Sequence, residues 1–350
     1  LLGVILYKKY TLKMLLSFLI VLFLLILINY LVDPYGYQSR DNKFVKNLTM
    51  FNKPNVTNAR IHSDGYYYLI GSSRMARVNP TVIERITGKK THNIKIDGAT
   101  LSENRLLASK VKEQGNFFIY SFDVFSSNKS REKYSEINTR FNTYLKELES
   151  SILFDKYFNS DITIRSIQHA VKYLRGENLN KQYLEQNSRY SDLRYDLSLK
   201  NSGVLNNLDK SNFSNFESYS SEEIVKLAKL GTKDDIFIIL PKHASFYYLF
   251  SKYQDIENKY FSAISTLVNN TEAQVWSYYG LNNITQKENN FIDNGWHFKP
   301  QVSNVIFQEV FELRGQIENQ AIGVLITKEN LNDYLSFVSK DIGNIVIKDN

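Results

Sequence analysis

Two short stretches far apart in the chain carry side chains that together could transfer an acyl group. The first, Tyr66-Tyr67-Tyr68-Leu69-Ile70-Gly71-Ser72-Ser73-Arg74, ends an apolar run on a glycine and two serines. Glycine permits a tight turn in which backbone N–H groups can converge on an oxyanion, and a serine hydroxyl is presented where the run stops. The second, Asp293-Asn294-Gly295-Trp296-His297-Phe298, holds a histidine beside a carboxylate just ahead of Pro300. A serine hydroxyl becomes a good nucleophile only when a base takes its proton, and an imidazole base needs an acid to fix its tautomer. Ser73, His297 and a neighbouring carboxylate supply those three roles. Gly-Ser-Ser alone is also ordinary turn composition, so the chemical meaning comes from the pairing. His62, His92, His169 and His243 have no comparable setting and are read as structural.

For the two stretches to meet, the elements between them must bring them to one edge. Residues 66–70, 93–96, 117–122, 235–240 and 273–278 are β-rich apolar runs, each expected to be a strand. Between them lie helix signals. Asn79 can cap a helix that begins at Pro80 and ends at Gly88, and Thr100-Leu101-Ser102-Glu103 has capping-box spacing for a helix reaching Gly115. A further helix starts near Pro300. Strand and helix in alternation imply parallel strands joined by right-handed crossovers, a doubly wound α/β sheet whose ligands bind beyond the carboxyl ends of the strands. Ser73 follows the first strand and His297 the last, which places both at that edge. Residues 126–231 separate the third and fourth strands by more than a crossover needs. With helical runs at 162–174 and 221–230 and a polar piece from 187 to 221, they read as a helical insertion.

Ahead of the sheet, nineteen residues from Met14 to Val32 carry no charge. At about 1.5 Å per residue they match the ~30 Å hydrocarbon core of a bilayer. Lys8, Lys9 and Lys13 precede the stretch and Asp33 follows it, so the positive-inside tendency puts the N-terminus in the cytoplasm and the rest outside. A cleaved signal peptide would have a shorter apolar region and a small-residue cleavage site, and no Ala-x-Ala follows Val32. The expected organisation is thus 1–34 cytoplasmic tip and transmembrane anchor, 35–64 collar, and 65–350 α/β domain. The net charge of +7 comes from 43 basic and 36 acidic residues mixed along the chain, which argues against nucleic-acid binding. The absence of cysteine excludes thiol chemistry and cysteine metal sites. Neither cofactor nor metal is expected.

These residues resemble the SGNH (GDSL-like) esterases and acyltransferases, and more narrowly their membrane-anchored members of envelope acylation, similar to alginate acetylation proteins and the D-alanyl transfer protein of teichoic acids. The resemblance extends from Asp33-Pro34-Tyr35-Gly36 through Asn52-Lys53-Pro54 to about residue 311. It implies a flavodoxin-like sheet of five parallel strands. It also implies Ser73 as nucleophile, Ser73 and Gly98 N–H as oxyanion hole, His297 as base, and Asp293 as its orienting acid.

Two departures from the family pattern bear on activity. Where the family places an Asn that donates to the oxyanion hole, this chain has Ser121-Phe122-Asp123. Asp123 either stays protonated or orders the loop by pairing Arg74, and the second is preferred. Strict spacing also puts Asn294 rather than Asp293 in the acid's place, unless the loop bulges at Gly295. The expected function is an extracytoplasmic serine acyltransferase or esterase acting on O-acyl groups of an envelope polysaccharide. Its partners would be the lipid bilayer, the envelope glycan and a multi-spanning membrane acyltransferase. The alternative is a catalytically silent assembly or glycan-binding protein on the same fold.

Overall fold

The computed structural model describes residues 2–34, 65–96, 98–113, 115–134, 157, 160–176, 215–244, 246–247, 254–292, 297–312 and 322–348. In chain order the elements are α1 (Leu2–Val32), β1 (Tyr67–Ile70), α2 (Pro80–Thr87), β2 (Thr91–Asn93), α3 (Leu101–Glu113), β3 (Phe117–Ser121), α4 (Ser160–Leu174) and α5 (Ser221–Ala228). They continue with β4 (Ile236–Ile239), α6 (Gln254–Asn270), β5 (Gln274–Ser277), β6 (Phe291–Ile292), β7 (His297–Phe298), α7 (Pro300–Glu312), β8 (Val324–Ile326) and α8 (Leu331–Lys348). The chain divides into two compact units, Leu1–Leu48 with Lys146–Tyr183, and Thr49–Leu145 with Leu184–Asn350.

The first unit contains α1 and α4. Within α1, Tyr7–Val32 is long and apolar enough to cross a membrane. Its Leu16, Phe18, Phe23 and Leu24 are exposed, the opposite of what a core helix of a water-soluble protein would show. The second unit is a mixed α/β sheet in the order β2-β1-β3-β4-β5-β8. The first five strands pair in parallel and β8 closes the sheet antiparallel to β5. The sequence reading therefore lacked one strand of this sheet, where five parallel strands were expected and a sixth, antiparallel one is present, and it also lacked the separate two-stranded pair of β6 and β7. β2 also lies earlier than the expected 93–96: Thr91-His92-Asn93 join the sheet by pairing with β1, and an apolar-run criterion skips so polar a stretch. The hydrogen bonds Ile94 N to Leu69 O and Ile96 N to Gly71 O, both 3.0 Å, nonetheless keep 94–96 beside β1. The collar at 35–64 lies outside the described residues.

Alternate residues of the strands feed two cores, as the period-2 pleat requires. Tyr67, Leu69, Ile119, Ile236, Ile238 and Trp276 pack with Val82 and Ile83 of α2 and Ile306, Phe307 and Val310 of α7. At the amino end of the sheet the buried Asp235 carboxylate accepts from Thr232 N and Thr232 Oγ1 at 2.7 Å and from Phe118 N at 2.8 Å. Lys112 Nζ of α3 meets the same carboxylate at 2.8 Å. One side chain thus ties α3, β3 and β4 together. Asp235→Ala leaves a cation and buried N–H donors unpaired, and is expected to cost on the order of 3–5 kcal/mol, read as a lowered urea midpoint.

Candidate active site

In the sheet order 2-1-3-4-5 the topological switch point lies between β1 and β3, the place beyond the strand ends where open α/β sheets bind ligands. β1 and β3 run in register with Ile70 opposite Tyr120. The next residue of β1, Gly71, has no room for a side chain: a Cβ there would sit 2.8 Å from Ser121 Cβ and 3.2 Å from Met75 Cβ. The chain then turns immediately. Met75 N bonds Ser72 O at 3.0 Å, the 3-10 segment Met75–Arg77 follows, and Asn93 Nδ2 holds Met75 O at 2.8 Å. Ser72 is buried within this turn and Ser73 is half-buried at its outer side.

His297 is delivered by a different device, the small antiparallel hairpin of β6 and β7, in which it pairs with Ile292. The hairpin is seated by its aromatic residues. Phe298 and Phe291 are buried in the core beneath, and the His243 ring meets Phe291 edge-on at 5.5 Å. Lys299 N to Asn290 O at 2.8 Å closes its base, and Pro300 then starts α7. The result is that Ser73 Oγ lies 2.9 Å from His297 Nε2. That is the contact a base needs to take a hydroxyl proton. Asp293, Asn294 and Gly295 lie outside the described residues.

Gly98 sits in the turn after β2 with φ +74°, a left-handed conformation that favours glycine. The turn is drawn to the end of β1 by Ile96 N on Gly71 O and is closed by Ala99 N on Ile96 O at 3.0 Å. Arg131 Nη2 reaches Gly98 O at 3.4 Å.

Behind Ser73 lies a buried charge cluster. Asp123, after β3, accepts from Ser72 Oγ at 3.1 Å and from the backbone of Phe125 and Ser126 at 2.9 and 3.1 Å, and pairs with Arg74 Nη1 at 3.3 Å. Asp123 therefore orders both loops. Burial alone would push its carboxyl up, but Arg74, Lys242 and the bonds from Ser126 and Ser72 together hold it below the ordinary carboxylate value. Lys242 was not singled out in the sequence. It is buried with its ammonium 4.7 Å from the Phe125 ring centre, and burial, then Arg74, lower its pKa well below that of a free lysine. Its signal was positional: it follows β4 at the same sheet edge. Among the described residues no group of three or more His, Asp or Glu is placed to hold a metal ion.

Asp123→Asn would leave Arg74 and Lys242 buried without their counter-charge, at an expected cost on the order of 3–5 kcal/mol. The acid dependence has a definite sign. A carboxyl held low in the fold contributes stability that is complete above its unfolded value of about 3.9 and is lost as pH falls through the folded value, so the gap between wild type and Asp123→Asn narrows below about pH 4. Urea titrations at stepped pH measure it. No protein-family model matches the chain and no curated protein shows significant similarity to it, so a reading of its function rests on the residues and their geometry.

Proposed function

We propose that the chain is a membrane-anchored serine O-acyltransferase or esterase of the SGNH type. Its α/β unit lies outside the cytoplasmic membrane and acts on O-acyl groups, acetyl foremost, of an envelope polysaccharide. The observation that carries this reading is the 2.9 Å approach of Ser73 Oγ to His297 Nε2 at the switch point of a doubly wound sheet. Ser73 Oγ attacks the acyl carbonyl and its proton passes to His297 Nε2. The tetrahedral oxyanion is held by Ser73 N–H and Gly98 N–H, and its collapse breaks the bond to the leaving alcohol, which takes the proton from His297. A sugar hydroxyl or water then repeats the sequence on the acyl-serine and regenerates Ser73. Asp293, or Asn294 in its place, orients the imidazole.

The substrate class follows from the tether. Tyr7–Val32 would tether the chain to a bilayer, where lipid-linked glycans and wall polymers are met more often than free metabolites. Lys8, Lys9 and Lys13 at the N-terminal end of the span favour an outward catalytic unit, and a multi-spanning membrane acyltransferase is the fitting acyl source.

The full chain in detergent, given an activated aryl acetate, is expected to release acetate at a rate that Ser73→Ala and His297→Ala each lower by about 10³-fold or more. Ser72→Ala, which keeps the nucleophile, should retain most of it. A folded chain no faster than Ser73→Ala on any acyl donor would instead be the silent, glycan-binding alternative.

A further inference from the structure

Helix α4 leaves an aliphatic stripe exposed. Ile162, Ser166 and His169 lie on its buried face, whereas Ile164, Ile167, Val171 and Leu174 are 56, 46, 38 and 82% exposed. Their spacing of three, four and three residues aligns them in one stripe. A contiguous aliphatic stripe left open on a folded unit marks a surface that something apolar covers.

Its position says what. Asn29, near the end of α1, donates through Nδ2 to Thr163 Oγ1 of α4 at 2.8 Å and to Tyr157 O at 2.7 Å, and the Tyr30 ring meets Tyr157 edge-on at 5.5 Å. Ile164 is the next residue after Thr163, so the stripe begins beside the last turns of α1. The span of α1, Tyr7–Val32 with its lysines in the first two turns, has 26 residues and is about 39 Å long against a hydrocarbon core of ~30 Å, so its ends reach the headgroup level. Tyr30 and Leu31, both exposed, face outward there. Tyrosine is the residue type enriched at that depth. Lipid covering Tyr30 and Leu31 would continue onto the α4 stripe. The charges agree: α4 and the turn after it carry Arg165, Lys172 and Arg175 against a single acid, Asp161.

We infer that α4 lies in the membrane interface, its Ile164-Ile167-Val171-Leu174 stripe dipped into the acyl boundary and its basic residues on anionic headgroups, as a second membrane contact beside the span. The inference rests on α1 crossing the bilayer.

The chain has no native cysteine, so single spin labels report cleanly. Ile164→Cys, Ile167→Cys, Val171→Cys, Leu174→Cys, Leu19→Cys in α1 and Lys226→Cys in α5 are labelled one at a time in the full chain. Each is reconstituted at one copy per nanodisc, with either phosphatidylglycerol-containing or pure phosphatidylcholine bilayers. The ratio of collisions with oxygen to collisions with a polar nickel chelate gives depth. The four stripe positions are expected to exceed Lys226 by roughly fivefold or more, with Leu19 deeper still. Arg165→Glu with Lys172→Glu should lower the stripe ratios in anionic discs and change them little in neutral ones. A lipid-like Leu19 with stripe positions as water-exposed as Lys226 overturns the inference and leaves the span intact, pointing to a protein cover; protection appearing only with two copies per disc points to a second chain. A water-exposed Leu19 overturns both.

Discussion

The ends of β1 and β3 meet with no space for a side chain between them. A Cβ on Gly71 would overlap Ser121, so the parallel pairing of the two strands up to Ile70 and Tyr120 and the turn that follows β1 are one constraint. That turn has to break away from the sheet at once, and it carries Ser72 into the protein and Ser73 to its outer side. The second loop is attached to the same point, since Ile96 N reaches back to Gly71 O. What looks like a site assembled from separate loops is thus a set of chain exits crowded around one steric fact.

Crowding of this kind brings charges together as well. Arg74, Asp123 and Lys242 leave three different strands and are buried within reach of one another. Two potential cations share one carboxylate, and burial disfavours the charged form of each, so Asp123 is the group on which the balance depends. The same carboxylate receives the hydrogen bond of Ser72, the immediate neighbour of the nucleophile candidate. Backbone geometry at Ser73 and electrostatics at Asp123 are consequently linked over a single residue. The imidazole reaches Ser73 by a separate mount, a two-strand hairpin held by Phe291 and Phe298, so the two halves of the Ser73–His297 contact stand on different elements that share one core with Leu69 and Met75.

How much of this was legible in the sequence depended on how local the determining contact was. The cap of α2 could be read because Asn79 Oδ1 accepts from Thr81 N two residues on, and its end because Gly88 adopts φ +68°. The capping box of α3 was legible for the same reason, with Thr100 N bonded to Glu103 Oε2. The four inner apolar strands fell within a residue or two of their apolar runs. β8 was not found, because Val324-Leu325-Ile326 is three residues long and becomes a strand only by pairing with β5. Nor was the grouping of 146–183 with α1, which rests on such contacts as Asn29 with Thr163 and has no periodic signature. At the site, Ser73 and His297 were legible from their places after strands. Lys242 was not, since a lysine after a strand reads as solvated until the neighbouring loops close over it.

The sheet's borders have a consequence for crowding on a surface. Molecules confined to two dimensions meet their own copies at a high effective concentration, and an open strand edge is then a template for linear association. Both borders here are short. β2 has three polar residues, preceded by Lys89 and Lys90 and followed closely by Lys95, and β8 is also three residues long. Like charges repel an approaching copy of β2, and among the described residues each border strand is too short to hold one. The fold can therefore be packed densely side by side without its sheets growing into one another.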